Sequence, residues 1–157
     1  MKEYFINLFR YEIWANKRVA DSLTGLDSPP EKALSLMSHI INAQKVWLCR
    51  ITGKTYEMKS VWKTLAKADI TSALNNSSSA LTEYLGSLQE NDLEKYIEYT
   101  NTKGESFKSL LKDILTHLPV HSAYHRGQVI LLLKPVLNAL PSTDYIIFVR
   151  ENNSHKN

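Results

Sequence analysis

Cysteine is nearly absent from this sequence, which has one cysteine among 157 residues. The single thiol, Cys49, cannot form a disulfide within the chain, so a fold held together by internal disulfides is excluded. Its neighbours Trp47, Leu48 and Ile51 are typical of a packed core. We therefore expect Cys49 to be a buried and unreactive thiol.

Long hydrophobic runs are also missing. A membrane-spanning helix needs about 20 consecutive apolar residues, and the first ten residues, Met1 to Arg10, are already interrupted by charges. This amphipathic start resembles neither a secretory signal nor a membrane span. We expect a cytoplasmic protein that does not associate with membranes.

Charge of one sign is not concentrated anywhere in the chain. The formal net charge is only +3, and the lysines are scattered along the sequence. A nucleic-acid-binding surface requires basic residues clustered on one face. Nucleic acid is therefore not an expected partner.

The residues that are present predict one all-α domain. A chain of 157 residues with 43% hydrophobic side chains can fill a single core of ordinary size. Apolar residues recur at helical spacing over 3–24, from about Pro30 to Ile51, from Asp69 to about Leu88, and from Ser106 to about Leu137. We assign residues 1–150 to this domain and expect 151–157 to be a disordered tail.

The connections complete the predicted fold. Residues 53–68 lack a sustained period and are long enough to cross a bundle from end to end, with Trp62 pinning them to the helices. Residues 94–104 are aromatic and β-branched around a glycine turn, which predicts a short hairpin or extended arm before the last helix. Asp69 and Ser106 are expected helix caps, and 141–150 an extended arm. Four helices with one long crossover predict a four-helix bundle.

Two histidines in the last predicted helix carry the main functional signal. His121 and His125 are four residues apart, so both imidazoles lie on one face of a helix. Their positions fall on a stripe that is otherwise apolar, where each buried ring needs a polar partner. Pro119, which removes one helical hydrogen bond, predicts a kink or a new helix start just before the pair.

A third donor is needed, because catalytic first-row metals usually take three protein ligands and keep one position open. His39 lies on the apolar stripe of the second helix and is the best choice, although a hydrogen-bonded core histidine is the alternative at that position. His117 shares a face with the pair and could be a fourth ligand, a hydrogen-bond partner of His121 or an entrance residue. Gln128 is expected beside the ligands, and Arg126 is expected to pair with an acidic residue on the opposite side.

Three neutral imidazoles suit Zn²⁺, Ni²⁺, Fe²⁺ or Cu²⁺, and zinc or nickel is our prediction, with manganese also allowed. A metal held in this way lowers the pKa of a bound water or thiol and polarises a carbonyl, so hydrolysis or thiolate attack becomes possible at neutral pH. No Glu lies at the zinc-peptidase spacing, so an obvious general base is missing. This absence favours thiol transfer slightly over hydrolysis.

Several segments resemble the DinB-like superfamily of metal-dependent enzymes. The closing signature is His-Ser-Ala-Tyr-His-Arg-Gly-Gln at 121–128, with Tyr-Thr-Asn-Thr-Lys-Gly-Glu before it and Leu-Pro-Ser-Thr-Asp-Tyr after it. The segment Tyr11-Glu-Ile-Trp-Ala-Asn16 resembles the first-helix motif of the family. His39 with Trp47 eight residues later resembles the second.

The resemblance implies a four-helix bundle of up-down-down-up order, often a homodimer, with a divalent metal on His39, His121 and His125. The relatives that this resemblance brings in include thiol-dependent S-transferases, which use a low-molecular-weight thiol, and a mycothiol-dependent isomerase. We therefore expect an S-transferase that acts on an electrophilic small molecule, or a related hydrolase. The alternative is a metal-stabilised stress-response or binding module without turnover, which a fourth protein ligand would favour.

Overall fold

A computed structural model describes residues 1–56, 61–101 and 103–153 of the protein. Over these residues the chain is mostly helical and carries one small antiparallel sheet. The helices are α1 (Lys2–Thr24), α2 (Glu31–Thr52), α3 (Ile70–Ser87), α4 (Leu111–Leu133) and α5 (Tyr145–Asn153), and the strands are β1 (Tyr96–Thr100) and β2 (Ser106–Leu110). Short 3-10 turns cover Lys67–Asp69 and Glu90–Glu94.

The four long helices pack on one another and bury two apolar clusters. Helix α2 contacts α4 and α3, and α1 contacts α3 and α4. The first cluster includes Val19, Leu23, Met37, Ile40, Ile70, Val129 and Leu133. The second includes Phe5, Phe9, Ile51, Leu81, Leu85, Leu115 and Leu118. Each helix contributes to both clusters, because its apolar residues recur along one face at helical spacing.

Glycine follows the end of α2 and lies in the turn of the hairpin. Gly53 follows α2 with φ of 69°, and Gly104 lies in the turn between the strands with φ of 82°. Positive φ is costly for residues with a Cβ atom, so glycine is favoured at both places. The predicted hairpin is confirmed, with Tyr99 opposite Phe107 in the strand pairing.

The last long helix starts later than predicted. Ser106 does not cap it, because residues 106–110 form β2 and pair with β1, and α4 begins at Leu111 and ends at Leu133 rather than near Leu137. Phe107, which the predicted helix would have included, is 45% exposed. Cross-strand pairing with Tyr99 replaces the helical contacts that the apolar spacing suggested.

Pro119 does not restart the helix. Helix α4 continues through it from Leu111 to Leu133, so the predicted new start before His121 is wrong. Proline deletes only one backbone hydrogen bond, and Pro119 itself is buried against its neighbours. The packing of α4 on α1 and α2 holds the helix together past the missing bond, and the alternative prediction, a kink at Pro119, stays a prediction.

Three predictions, for the cap of α3 and for the C-terminal segment, are also wrong. Asp69 occupies the position before α3, but its side chain makes no cap hydrogen bond. The segment after Pro141 is not an extended arm, since Tyr145–Asn153 form α5. Glu151 within it accepts hydrogen bonds from Trp14 and Arg18 of α1, so 151–153 are not a disordered tail; residues 154–157 lie outside the described residues.

None of the helices in the described ranges is both long enough and apolar enough to cross a membrane.

Candidate metal centre

Three histidines from two helices meet at one point. His39 comes from α2, and His121 and His125 come from α4. One ring nitrogen from each lies within 4.8 Å of the others. The shortest separation joins His39 Nε2 to His121 Nε2 at 3.2 Å. The structure thus brings together the three residues that the sequence singled out as metal ligands.

Local helix geometry explains the convergence. The four-residue spacing stacks His121 and His125 on one face of α4, with ring centroids 4.6 Å apart. Helix α2 packs against α4 and presents His39 to both rings. His39 and His125 are 5% and 9% exposed, while His121 is partly buried. The prediction that His39 points inward is confirmed.

The backbone after α2 fixes the orientation of the His39 ring. Its Nδ1 lies 3.1 Å from the carbonyl oxygen of Val61, to which it donates as N–H. That bond leaves Nε2 with a lone pair directed at the cluster. The indole of Trp62 covers one face of the same ring.

Gln128 fixes the orientation of the His125 ring in the same way. The His125 Nδ1 lies 2.8 Å from Gln128 Oε1, one helical turn further along α4, and donates to it. The Nε2 of His125 is then the nitrogen with a free lone pair. Two of the three rings are therefore set in the tautomer that a metal ligand needs, by partners on the far side of each ring.

Polar residues of α2 hold the segment that carries Val61 and Trp62. Ser38 Oγ accepts from the backbone N–H of Leu65 at 2.9 Å, and Asn42 Nδ2 donates to the carbonyl of Lys63 at 2.9 Å. Neither role was expected from the sequence. The available signal was a buried polar residue on each side of His39 along an apolar helix face.

Burial keeps the imidazoles of His121 and His39 neutral. The pKa of His121 is lowered to about 4, chiefly by burial and then by the positive charges that His125, His39 and His117 would carry. Burial also lowers the pKa of His39, with the Val61 hydrogen bond opposing it and His125 assisting it. Both rings are therefore unprotonated at neutral pH, as nitrogen ligands must be.

The cluster fits a metal-binding site. Tetrahedral coordination with metal–nitrogen bonds of about 2.0–2.1 Å places ligand nitrogens about 3.3 Å apart, close to the 3.2 Å between His39 and His121. The His39 lone pair faces another ring nitrogen at that distance, so the pair needs a shared proton or a cation between them. Three imidazoles are a donor set for first-row divalent cations.

His117 does not join the three donors. Within the described ranges the potential ligand group contains only residues 39, 121 and 125. The His117 ring lies 5.3 Å from that of His121 and 5.4 Å from that of Trp47, between centroids. Burial and then the Arg50 charge lower its pKa. Trp47 in turn lies beneath the Arg50 guanidinium and beside Tyr99. His117 and Trp47 therefore form a wall next to the cluster.

Comparison with known proteins supports the fold. The model of the DinB family matches residues 2–154. Protein DinB of Bacillus subtilis (strain 168) is 23% identical over 164 residues, which cover 95% of each chain. The crystal structure of a DinB-like protein from Bacillus cereus ATCC 10987 covers 89% of this chain and 95% of its own, with a TM-score of 0.67 and 19% identity. At that identity, the likeness is evidence for the fold alone.

Proposed function

Since the chain belongs to the DinB family, we propose that it is a cytoplasmic metal-dependent enzyme with His39, His121 and His125 as ligands. The reaction that we propose is transfer of a low-molecular-weight thiol to an electrophilic small molecule, with hydrolysis as the related possibility. The observation that carries the proposal is a group of three converging imidazoles without a fourth donor among the described residues. Such a set leaves a coordination position for a substrate.

Zinc or nickel is the proposed metal, ahead of iron, copper and manganese, because neutral imidazole nitrogens suit these ions. A bound divalent cation supplies Lewis acidity, which favours the ionised form of a thiol or water at neutral pH. The chain's own residues orient the ligands: Val61 fixes His39, and Gln128 fixes His125. Trp62 shields the face of His39 from water.

The composition of the cluster favours transfer over hydrolysis. Hydrolysis usually needs a general base to take a proton from water, and the potential ligand group in the described ranges contains no carboxylate. A thiol is more acidic than water, so it needs less help to ionise. The same group could still support hydrolysis of a reactive substrate.

The test is a rate measurement on metal-loaded protein. Zinc- or nickel-loaded parent protein is incubated with a panel of low-molecular-weight thiols and a reactive electrophile, and thioether formation is followed. We expect a rate that disappears in His125→Ala and persists in His117→Ala. A rate in the parent that His125→Ala leaves unchanged would contradict the proposal.

The alternative function is a metal-stabilised binding or stress-response module. It would need a closed coordination shell, and His117 is the residue considered for that role. X-ray absorption spectroscopy of the zinc-loaded protein separates the two functions. Three imidazoles with one non-protein ligand support the enzyme, whereas a fourth imidazole that is lost in His117→Ala supports the module.

We also propose that α1–α4 form a four-helix bundle of up-down-down-up order and that residues 1–150 are a single domain. In this order α1 is antiparallel to α3, and α2 is antiparallel to α4. Side chains on facing helices then meet in the interior, where such bundles build metal sites. The contacts of α2 with α4 and of α1 with α3 are consistent with this arrangement.

A homodimer through α4 completes the proposal. Val120, Tyr124 and Leu131 are 64%, 66% and 68% exposed, and helical spacing puts them on one uncharged stripe with Gly127. In an antiparallel pair of α4 helices, Tyr124 would face Gly127 of the second copy, and Val120 would face Leu131. The stripe is therefore complementary to itself, as a two-fold interface must be. Gly127 is otherwise costly in mid-helix.

Sedimentation equilibrium tests the dimer. We expect Tyr124→Lys to give a monomer, because it places charge at the centre of the interface. Tyr4→Lys is the matched control, since Tyr4 on α1 is similarly exposed at 61%. A monomeric parent protein, or equal dissociation of both variants, would contradict this interface.

A further inference from the structure

A buried polar layer crosses the middle of the helices, between the two apolar clusters. On α1 it lies between Phe9 and Val19 and contains Glu12 and Asn16, both 0% exposed. Gln44 of α2 and Arg126 of α4 are 2% and 1% exposed. Fully buried Glu and Arg are rare unless they are paired, so this layer needs an explanation of its own.

Glu12 is the centre of the layer. Its Oε1 accepts hydrogen bonds from Asn16 Nδ2 and Gln44 Nε2, both at 2.9 Å, and its Oε2 accepts from Arg126 Nη1 at 2.8 Å. Arg126 Nη1 also donates to Asn16 Oδ1 at 2.9 Å. One carboxylate thereby connects α1, α2 and α4, and the prediction that Arg126 pairs with an acidic residue is confirmed.

The two outer partners of Glu12 lie on the helices that carry the histidines. Gln44 is five residues after His39 on α2, and Arg126 directly follows His125 on α4. Helix α1 contributes no residue to the potential ligand group found in the described ranges. The carboxylate of Glu12 on α1 nevertheless accepts hydrogen bonds from both of the helices that do contribute.

Hydrogen bonds to a buried charge restrict helices in a way that apolar contacts do not. Apolar burial is non-directional, so two apolar helix faces can slide or rotate slightly at a small cost in free energy. A buried charged network is satisfied only in one geometry, and its low-dielectric surroundings make an unpaired member costly. Metal sites tolerate errors of only about 0.5 Å in ligand placement.

We infer that Glu12 is a positioning residue, which holds α2 through Gln44 and α4 through Arg126 in the register that lets His39 meet His121 and His125. The inference rests on the proposed metal site, since its consequence is metal affinity. Replacing the α2 connection should leave a folded protein whose three imidazoles are less well preorganised.

Two variants of the same hydrogen-bond chain separate this role from a purely structural one. Ser77 of α3 donates to Gln44 Oε1 at 3.1 Å. Both Gln44→Met and Ser77→Ala delete that bond, but only Gln44→Met also deletes the bond to Glu12. Comparing the two isolates the connection between α2 and Glu12, and the similar size of Met and Gln preserves the packing.

Zinc affinity is measured for the parent and both variants by competition with a chromophoric chelator. We expect Gln44→Met to weaken zinc binding about tenfold, which is the lower end of the range for partners that orient metal ligands. Ser77→Ala should bind as the parent does. Urea unfolding of the metal-free proteins gives the structural cost of each variant, and equal zinc affinities in the two variants would overturn the inference.

A second measurement does not depend on metal. In the metal-free protein, nuclear Overhauser contacts between the Hε1 protons of His39 and His121 report how the rings meet. The contact should be weaker in Gln44→Met and unchanged in Ser77→Ala, and an unchanged contact in both would overturn the inference. A parent protein that binds no zinc would defeat the proposed function, while this comparison would still decide the role of Glu12.

Discussion

The indole of Trp62 lies flat on the imidazole of His39, with ring centroids 3.6 Å apart and planes within 5° of parallel. The sequence predicted only that Trp62 pins the connection between α2 and α3 to the helices. Its partner in the structure is a proposed metal ligand, and Trp62 remains 53% exposed. A planar side chain at this position shields the ligand, and its fluorescence can be used to detect a metal bound there.

Binding of Cu²⁺ should quench the fluorescence of Trp62. A paramagnetic ion bound by His39 Nε2 would be within a few ångströms of the stacked indole, where quenching is efficient. We expect Trp62→Phe to remove a large part of the copper-dependent quenching seen in the parent protein, and a fluorescence titration at neutral pH measures it.

The matched control is Trp14→Phe. Trp14 lies on α1 beneath Arg18 and beside Phe148, where it bonds to Glu151. Its loss should lower the total fluorescence but keep the quenched fraction high. Equal quenched fractions in the two variants would argue against a copper site beside His39.

Gln128→Leu should weaken metal binding by about 10-fold to 100-fold, the usual effect of removing a group that orients a ligand. The variant removes the acceptor for His125 Nδ1, so the ring loses its fixed tautomer. Chelator competition measures the affinity. His117→Ala is the control and should bind zinc as the parent does; similar weakening in both would contradict separate roles for these residues.

Stability of the metal-free protein should fall with acidity. The His121 pKa is about 4 in the folded protein against 6.5 for an unperturbed histidine, so between these values the unfolded chain binds more protons. The free energy of unfolding therefore decreases as pH falls from about 6.5 towards 4. The contribution of neutral His121 to stability is fully present above that window. The lowered pKa of His39 acts in the same direction.

Urea midpoints measured in EDTA at several pH values test this dependence. His121→Gln should show a shallower decline than the parent, because one of the displaced titrations is gone. Parallel curves for the two proteins would mean that His121 titrates alike in the folded and unfolded states.

Zinc should raise the melting temperature reversibly. A ligand that binds only the folded state at 100 times its Kd stabilises by about 2.7 kcal/mol. For a chain of 157 residues this corresponds to an increase of about 5–10 °C. Calorimetry should show the increase, EDTA should reverse it, and the triple variant His39→Ala, His121→Ala, His125→Ala should lack it. An equal shift in the triple variant would place the zinc elsewhere.

Local signals in the sequence were sufficient for much of this architecture. The spacing of apolar residues predicted α1, α2 and α3 closely, and the Asn-Thr-Lys-Gly turn predicted the hairpin. Both depend on interactions between residues close in sequence. The predicted start of α4 was wrong because Phe107 and Leu110 are three residues apart, which is a helical spacing. Pairing with β1, which is not visible in the local pattern, makes residues 106–110 a strand.

The sequence by itself determined that His121 and His125 share one helix face, because a four-residue spacing fixes that for any α-helix. It also gave His39 an inward position, through the apolar stripe of α2. The tertiary structure decided everything that depends on which helices are neighbours: the 3.2 Å approach of His39 to His121, the Val61 carbonyl and Trp62 ring on His39, and the bonds of Glu12 to Gln44 and Arg126. These contacts join residues that are 22 to 114 positions apart. Periodicity shows which face of a helix is buried, but not what is packed against it.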